Sequence, residues 1–123
     1  MQEEKRCILL IDDTPAQLYT LIYMLQPKYK TMVAKDGKTG IQFAAEHDIN
    51  LILLDIVMPD MSGIEVLEIL KADDKTRHIP IVMATGDTTA EEIKKCFYLG
   101  ASDYIIKPFE YDKVFQCITK LLK

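Results

Sequence analysis

The sequence has few of the features that would mark a specialised chain. Its three cysteines, Cys7, Cys96 and Cys117, are odd in number, widely separated and form no C-x-x-C pair, which argues against a disulfide framework and against a zinc site. They read as core thiols. Positive charge is not in excess: 15 Lys and Arg against 19 Asp and Glu give a formal charge of −4. Nothing here offers a basic footprint for nucleic acid or a polybasic stretch for an anionic membrane. No apolar run approaches the roughly 20 residues that span a bilayer, and the opening MQEEKR has no signal-peptide character. A soluble cytoplasmic protein is expected. Repeats, low-complexity tracts and Gly/Ser- or Pro-rich linkers are also missing, so a single domain is expected from Met1 to Lys123. At 123 residues and 49% apolar content the chain encloses one core and not two.

What is present is an alternation of short apolar runs with amphipathic stretches. Strands are predicted at Cys7 to Ile11, Lys30 to Ala34, Leu51 to Leu54, Ile81 to Ala84 and Tyr104 to Ile106. Several are apolar throughout, as strands covered on both faces are. Between them, Leu18, Leu21, Ile22 and Leu25 recur at helical spacing, as do Val114, Cys117, Ile118 and Leu121. Thr14-Pro15 offers a cap with proline at the first helical position, Ser62-x-x-Glu65 and Thr88-x-x-Glu91 read as capping boxes, and Gly100 suits the end of the fourth helix. A (βα)5 chain follows. Right-handed crossovers fold it into an open, doubly wound parallel sheet, and the flavodoxin-like order 2-1-3-4-5 is the common solution for five strands.

In such sheets the ligand lies beyond the carboxyl ends of the strands, where the strand order reverses. Asp12 and Asp13 follow the first run, Asp55 the third, Thr85 the fourth and Lys107 the fifth. Singly, each has an ordinary reading: Asp13 as a turn or cap residue, Thr85 as a loop residue, Lys107 as a solvated charge. Together they form a chemical set. Three carboxylates on one rim repel each other unless a proton or a cation intervenes. Magnesium suits an all-oxygen group better than a soft metal does, because it is held by one or two carboxylates plus substrate phosphate. An aspartate beside that metal and a lysine is placed to attack phosphorus, with Thr85 donating its hydroxyl to a phosphoryl oxygen. His47 and His78 lack partners at ligand spacing and read as surface residues.

The acidic pair Asp12-Asp13, the segment L-D-I-V-M-P-D-M-S-G around Asp55, Thr85, and G-A-S-D-Y-I-I-K-P-F near the end together resemble the receiver domain of two-component response regulators, from about Cys7 to Leu122. The resemblance implies Asp55 as phosphoacceptor. It also implies Asp12, Asp13, Asp55 and the Val57 backbone carbonyl as magnesium ligands, with Asp13 favoured over Asp12 as the direct one. Lys107 would bridge to the phosphoryl, and Thr85 and Tyr104 would form the switch pair, although Tyr104 taken alone reads as a core aromatic. The Lys107-Pro108 peptide would be cis. Gly63 would begin the helix beyond the acceptor, allowing a close backbone approach. Gly86 departs from the alanine usual after the switch threonine, and Val57 and Asp87 occupy positions that tune phosphoryl lifetime, which stays open.

The implied partners are a sensor histidine kinase or a histidine phosphotransfer protein, and an output domain or protein that the sequence does not name. A homodimer through the face of the fourth helix, fifth strand and fifth helix is a further expectation. The stretch K-A-D-D-K-T-R-H-I-P-I-V is similar to receivers joined to cyclic-dinucleotide enzymes or kinases. The chain is expected to be either free-standing or part of a longer regulator, and to assist only its own phosphorylation and dephosphorylation. The main rival is a magnesium-dependent phosphohydrolase with an aspartyl nucleophile. Its D-x-D spacing and cap insertion are missing here. A flavin or nucleotide site lacks its glycines after the first strand.

Overall fold

The computed structural model describes residues 5–86 and 89–122. Five strands alternate with five helices: β1 (Cys7–Ile11), α1 (Pro15–Leu25), β2 (Lys30–Ala34), α2 (Gly37–Glu46), β3 (Leu51–Asp55), α3 (Gly63–Ala72), β4 (Ile81–Thr85), α4 (Ala90–Tyr98), β5 (Asp103–Ile106) and α5 (Tyr111–Leu121). All pairings are parallel and the order is β2-β1-β3-β4-β5. This is the flavodoxin-like arrangement expected from the sequence.

The sheet is covered on both faces because its three central strands, β1, β3 and β4, are buried at every position. Leu9 and Ile11, Ile52 and Leu54, and Ile81 and Met83 pack with Ala44 of α2, Val66, Leu67 and Leu70 of α3 and Cys96 of α4. The intervening residues Ile8, Leu10, Leu51, Leu53 and Val82 face Leu18, Leu21 and Leu25 of α1 and Val114, Cys117 and Ile118 of α5. A period of two therefore sends one set of side chains to each helical layer. Both helical stripes read from the sequence lie on the sheet as expected, and all three cysteines are buried and free.

Several local expectations need correction: β5 starts one residue early, at Asp103, and Thr14 stands at the N-cap of α1 without a side-chain cap bond. β3 and β4 each run one residue further than their apolar runs, because Asp55 still pairs with Ala84 and Thr85 with Ile106. Both residues are thus the last of a strand, and their backbones are fixed by the ladder. The capping box of α4 belongs to Thr89 and Glu92, with the Thr89 hydroxyl accepting the Glu92 N–H and the Glu92 carboxylate accepting the Thr89 N–H. Thr88, and Asp87 beside it, lie outside the described residues. Ser62 does cap α3, but its hydroxyl accepts from Ile64 and not from Glu65. Gly100 ends α4 with φ +110°, the left-handed conformation that glycine adopts without a Cβ penalty.

Candidate functional site

β1 and β3 are neighbours whose crossovers lead to opposite faces, so their carboxyl ends border the crevice at the switch point. Ile11 pairs with Leu54, and one residue on Asp12 and Asp55 leave adjacent strands side by side. Asp12 and Asp55 are 2% and 5% exposed, and Asp13 is at the surface. Each of the three offers a carboxylate oxygen to one cluster, within 4.8 Å of the others.

Lys107 enters from the far side of the sheet. Its backbone N–H donates to the Thr85 carbonyl at 2.7 Å, which holds it level with the end of β4. Its Nζ then lies 3.3 Å from Asp55 Oδ1 and 3.5 Å from Asp12 Oδ2. The peptide from Lys107 to Pro108 is cis, as the resemblance implied. Thr85 is 3% exposed at the end of β4. The sequence thus brings all five chemistry-bearing residues to one end of the sheet.

The electrostatics are strained in one sense and relieved in another. Burial, and then the neighbouring Asp12 charge, push the Asp55 carboxyl above the ordinary aspartate value. The Lys107 ammonium and the Val57 N–H, 3.4 Å from Asp55 Oδ1, pull it back without cancelling the rise. Asp12 Oδ1 accepts the Thr14 N–H at 2.8 Å. Asp12 Oδ2, by contrast, is buried with no hydrogen-bond partner among the described residues. Its nearest donor is the Lys107 ammonium at 3.5 Å, an ion pair without a hydrogen bond, and a buried carboxylate oxygen left in that state is costly. A hard divalent cation with oxygen preference satisfies that oxygen and the three negative charges together, so the donor set fits magnesium.

The loop after Asp55 and the positions of Thr85 and Tyr104 also follow from packing. A Cβ on Gly63 would lie 2.0 Å from the Asp55 carbonyl oxygen, so only glycine lets α3 begin against the end of β3. The Gly63 N–H donates to the Ile56 carbonyl at 2.7 Å across the base of the loop. Val57 is 75% exposed beside the cluster. Thr85 pairs with Ile106, so Tyr104, two residues earlier, shares the face of Thr85. The Tyr104 ring meets Phe97 of α4 edge to face, 6.0 Å between centroids, and is 37% exposed. At Gly86 a Cβ would meet Lys107 carbons at 3.8 and 3.9 Å, ordinary contact, so sterics do not require glycine there. His47 and His78 are exposed.

Sequence reasoning missed Asp60. Its carboxylate accepts the backbone N–H groups of Gly37 and Lys38 at 3.0 and 3.1 Å, tying the acceptor loop to the start of α2. No local pattern signals a bond across more than twenty residues of chain.

A doubly wound α/β domain with a buried acidic cluster and one lysine at its switch point is a narrow class. The model of the response regulator receiver domain matches residues 8–119, and the chain belongs to that family. A "Probable cyclic di-GMP phosphodiesterase" of Vibrio cholerae is 39% identical over 109 residues, which cover 88% of this chain and 25% of that protein. The chain spans about a quarter of that relative's length. A rice two-component response regulator, ORR12, is 34% identical over 103 residues, 82% of this chain and 85% of that protein. In structure, the receiver domain of the sensor histidine kinase PA1611 of Pseudomonas aeruginosa, which has a magnesium ion in its active-site cleft, superposes with TM-score 0.88. That match covers 97% of this chain and 98% of the other at 23% identity, a likeness of fold. The chain is a receiver domain of the two-component type, and no helix among the described residues is long and apolar enough to cross a membrane.

Proposed function

We propose that Asp55 is the phosphoacceptor of this receiver. One Asp55 carboxylate oxygen attacks the phosphorus of a phosphohistidine presented by a sensor histidine kinase or a histidine phosphotransfer protein. The new P–O bond forms as the P–N bond breaks, and the leaving imidazole takes up a proton. The product is an aspartyl phosphate. The observation that carries this reading is the setting of Asp55: a buried strand-end carboxylate 3.3 Å from a lysine ammonium and beside an Asp12 oxygen that makes no hydrogen bond among the described residues.

Asp12, Asp13, Asp55 and the Val57 carbonyl are proposed to hold magnesium, with Asp13 the direct ligand of the adjacent acidic pair. Bound there, the ion neutralises charge on the transferred phosphoryl oxygens. Lys107 stays in reach of those oxygens because its backbone is pinned to Thr85. The Thr85 hydroxyl donates to a phosphoryl oxygen only once the phosphoryl is present, so it senses occupancy. Tyr104, on the same face, carries the change to α4 through its contact with Phe97. The α4-β5-α5 surface, where Tyr98, Ile106 and Tyr111 are exposed, is the proposed meeting place for an output partner or a second copy of the chain. Residues 1–123 are read as one receiver unit, cytoplasmic, free-standing or within a longer regulator, that assists its own phosphorylation and dephosphorylation only.

A magnesium titration with acetyl phosphate as donor tests the metal half of this reading. Asp13→Ala is expected to weaken magnesium binding and phosphoryl uptake together, by on the order of tenfold or more. Unchanged magnesium affinity in that variant would remove Asp13 from the ligand set.

A further inference from the structure

Residues 56–62 join the end of β3 at Asp55 to the start of α3 at Gly63, and the Val57 carbonyl proposed as a magnesium ligand sits within them. At its base the loop is closed by the bond from Gly63 N–H to the Ile56 carbonyl. Met58 and Met61 pack against the core beneath it. Among the described residues, the one hydrogen bond of Val57 is the long N–H contact to Asp55 Oδ1 at 3.4 Å. The loop's other polar anchor among the described residues lies away from β3, at Asp60.

Asp60 Oδ1 accepts the Gly37 N–H at 3.0 Å and Oδ2 accepts the Lys38 N–H at 3.1 Å. These are two of the free N–H groups that open α2. The next, on Thr39, is taken by Asp36 Oδ1 at 2.7 Å, so α2 already has its own cap in Asp36. Asp60 thus takes two donors that this cap leaves open, and it does so from the loop that leaves β3 at Asp55. The two segments are also in tight register, because a Cβ at Gly37 would lie 2.5 Å from Met61 Cγ and 2.8 Å from Val66 Cγ2. The Gly37 N–H, and with it the Lys38 N–H, holds the Asp60 carboxyl below the ordinary aspartate value, so it is ionised at neutral pH.

We propose that Asp60 is a positioning residue: by clamping the acceptor loop to the N-terminus of α2 it fixes the Val57 carbonyl relative to Asp55 and so sets the affinity of the site for magnesium. This rests on the phosphoacceptor reading above. Asp60 touches neither phosphoryl nor metal. It acts through the loop, as outer residues do when they orient a ligand they do not replace.

The test separates this role from simple helix capping. Magnesium binding to unphosphorylated protein is measured by calorimetry, and acetyl phosphate uptake is followed across magnesium concentrations. Asp60→Ala is expected to weaken magnesium binding on the order of tenfold and to raise the magnesium needed for half-maximal uptake by the same factor. The rate at saturating magnesium should change little, and Asp60→Asn, which keeps one acceptor oxygen, should fall between. Lys38→Pro removes one of the two donors from the α2 side, at a helix position where proline is tolerated, and should shift magnesium affinity in the same direction. Lys38→Ala should not. A lower melting temperature in Asp60→Ala with wild-type magnesium affinity would overturn the proposal and leave Asp60 a structural cap, as would a loss confined to the saturated rate. Wild-type protein that binds no magnesium would instead overturn the site reading itself.

Discussion

Asp55 is held in a state that favours its neutral form, and this has a consequence for stability. Its carboxyl is raised first by burial and then by Asp12, against the pull of Lys107. A carboxyl whose folded-state value lies above its unfolded value binds a proton more readily when folded, so acidification through that raised value stabilises the fold. At neutral pH without metal, ionised Asp55 therefore costs stability. Asp55→Asn is expected to melt higher than wild type in metal-free buffer at neutral pH, by about 2–5 °C. The gap should narrow as pH falls through the raised Asp55 value. Thermal melts at two pH values check this, and a lower melting temperature for the variant at neutral pH would mean that Lys107 outweighs burial and Asp12. Destabilised functional carboxylates of this kind fit the usual trade between stability and activity. Burial acts on Cys117 in the same direction. Buried beside Asp103, its thiol is pushed up to about 12 and stays protonated, in keeping with its reading as a core residue.

At the level of elements, each functional side chain is placed by a strand end, and the join between β3 and α3 is the tightest of these. Gly63 begins α3 with its Cα so close to the Asp55 carbonyl that an added Cβ would sit 2.0 Å from the oxygen. Gly63→Ala forces backbone to move, since no flexible side chain can give way. A loss of about 2–3 kcal/mol is expected, read by urea unfolding, with slower phosphoryl uptake because Asp55 itself must shift. Unchanged stability would show that the loop relaxes freely, against the bond that closes its base. The strand ends were legible because polar residues follow apolar runs in the chain. That Asp55 and Thr85 still belong to the ladder was not, since it depends on what their neighbours across the sheet offer. The α4 cap illustrates the same limit. Thr88 and Thr89 both precede an acidic residue at the capping interval, and the frame is chosen by where α4 packs.

For the molecule as a whole, the layer assignment followed from apolar continuity. Strands such as Leu51–Asp55 are buried at every position, which leaves no face for water and calls for helices on both sides. Strand order came from the commonness of one solution and from the resemblance, and the register of Ile11 with Leu54 explains why it matters here. Only with β1 beside β3 do Asp12 and Asp55 share a crevice. The tie from Asp60 to α2 was not legible, because it joins segments far apart in sequence through backbone N–H groups that no residue code announces. The proposal that Asp55 is the acceptor in that crevice is directly measurable. The most direct test is intact mass after incubation with magnesium and acetyl phosphate. Wild type should gain one phosphoryl group, with no gain in EDTA and none in Asp55→Asn; an adduct that persists in Asp55→Asn, or none in wild type, would contradict the assignment of Asp55.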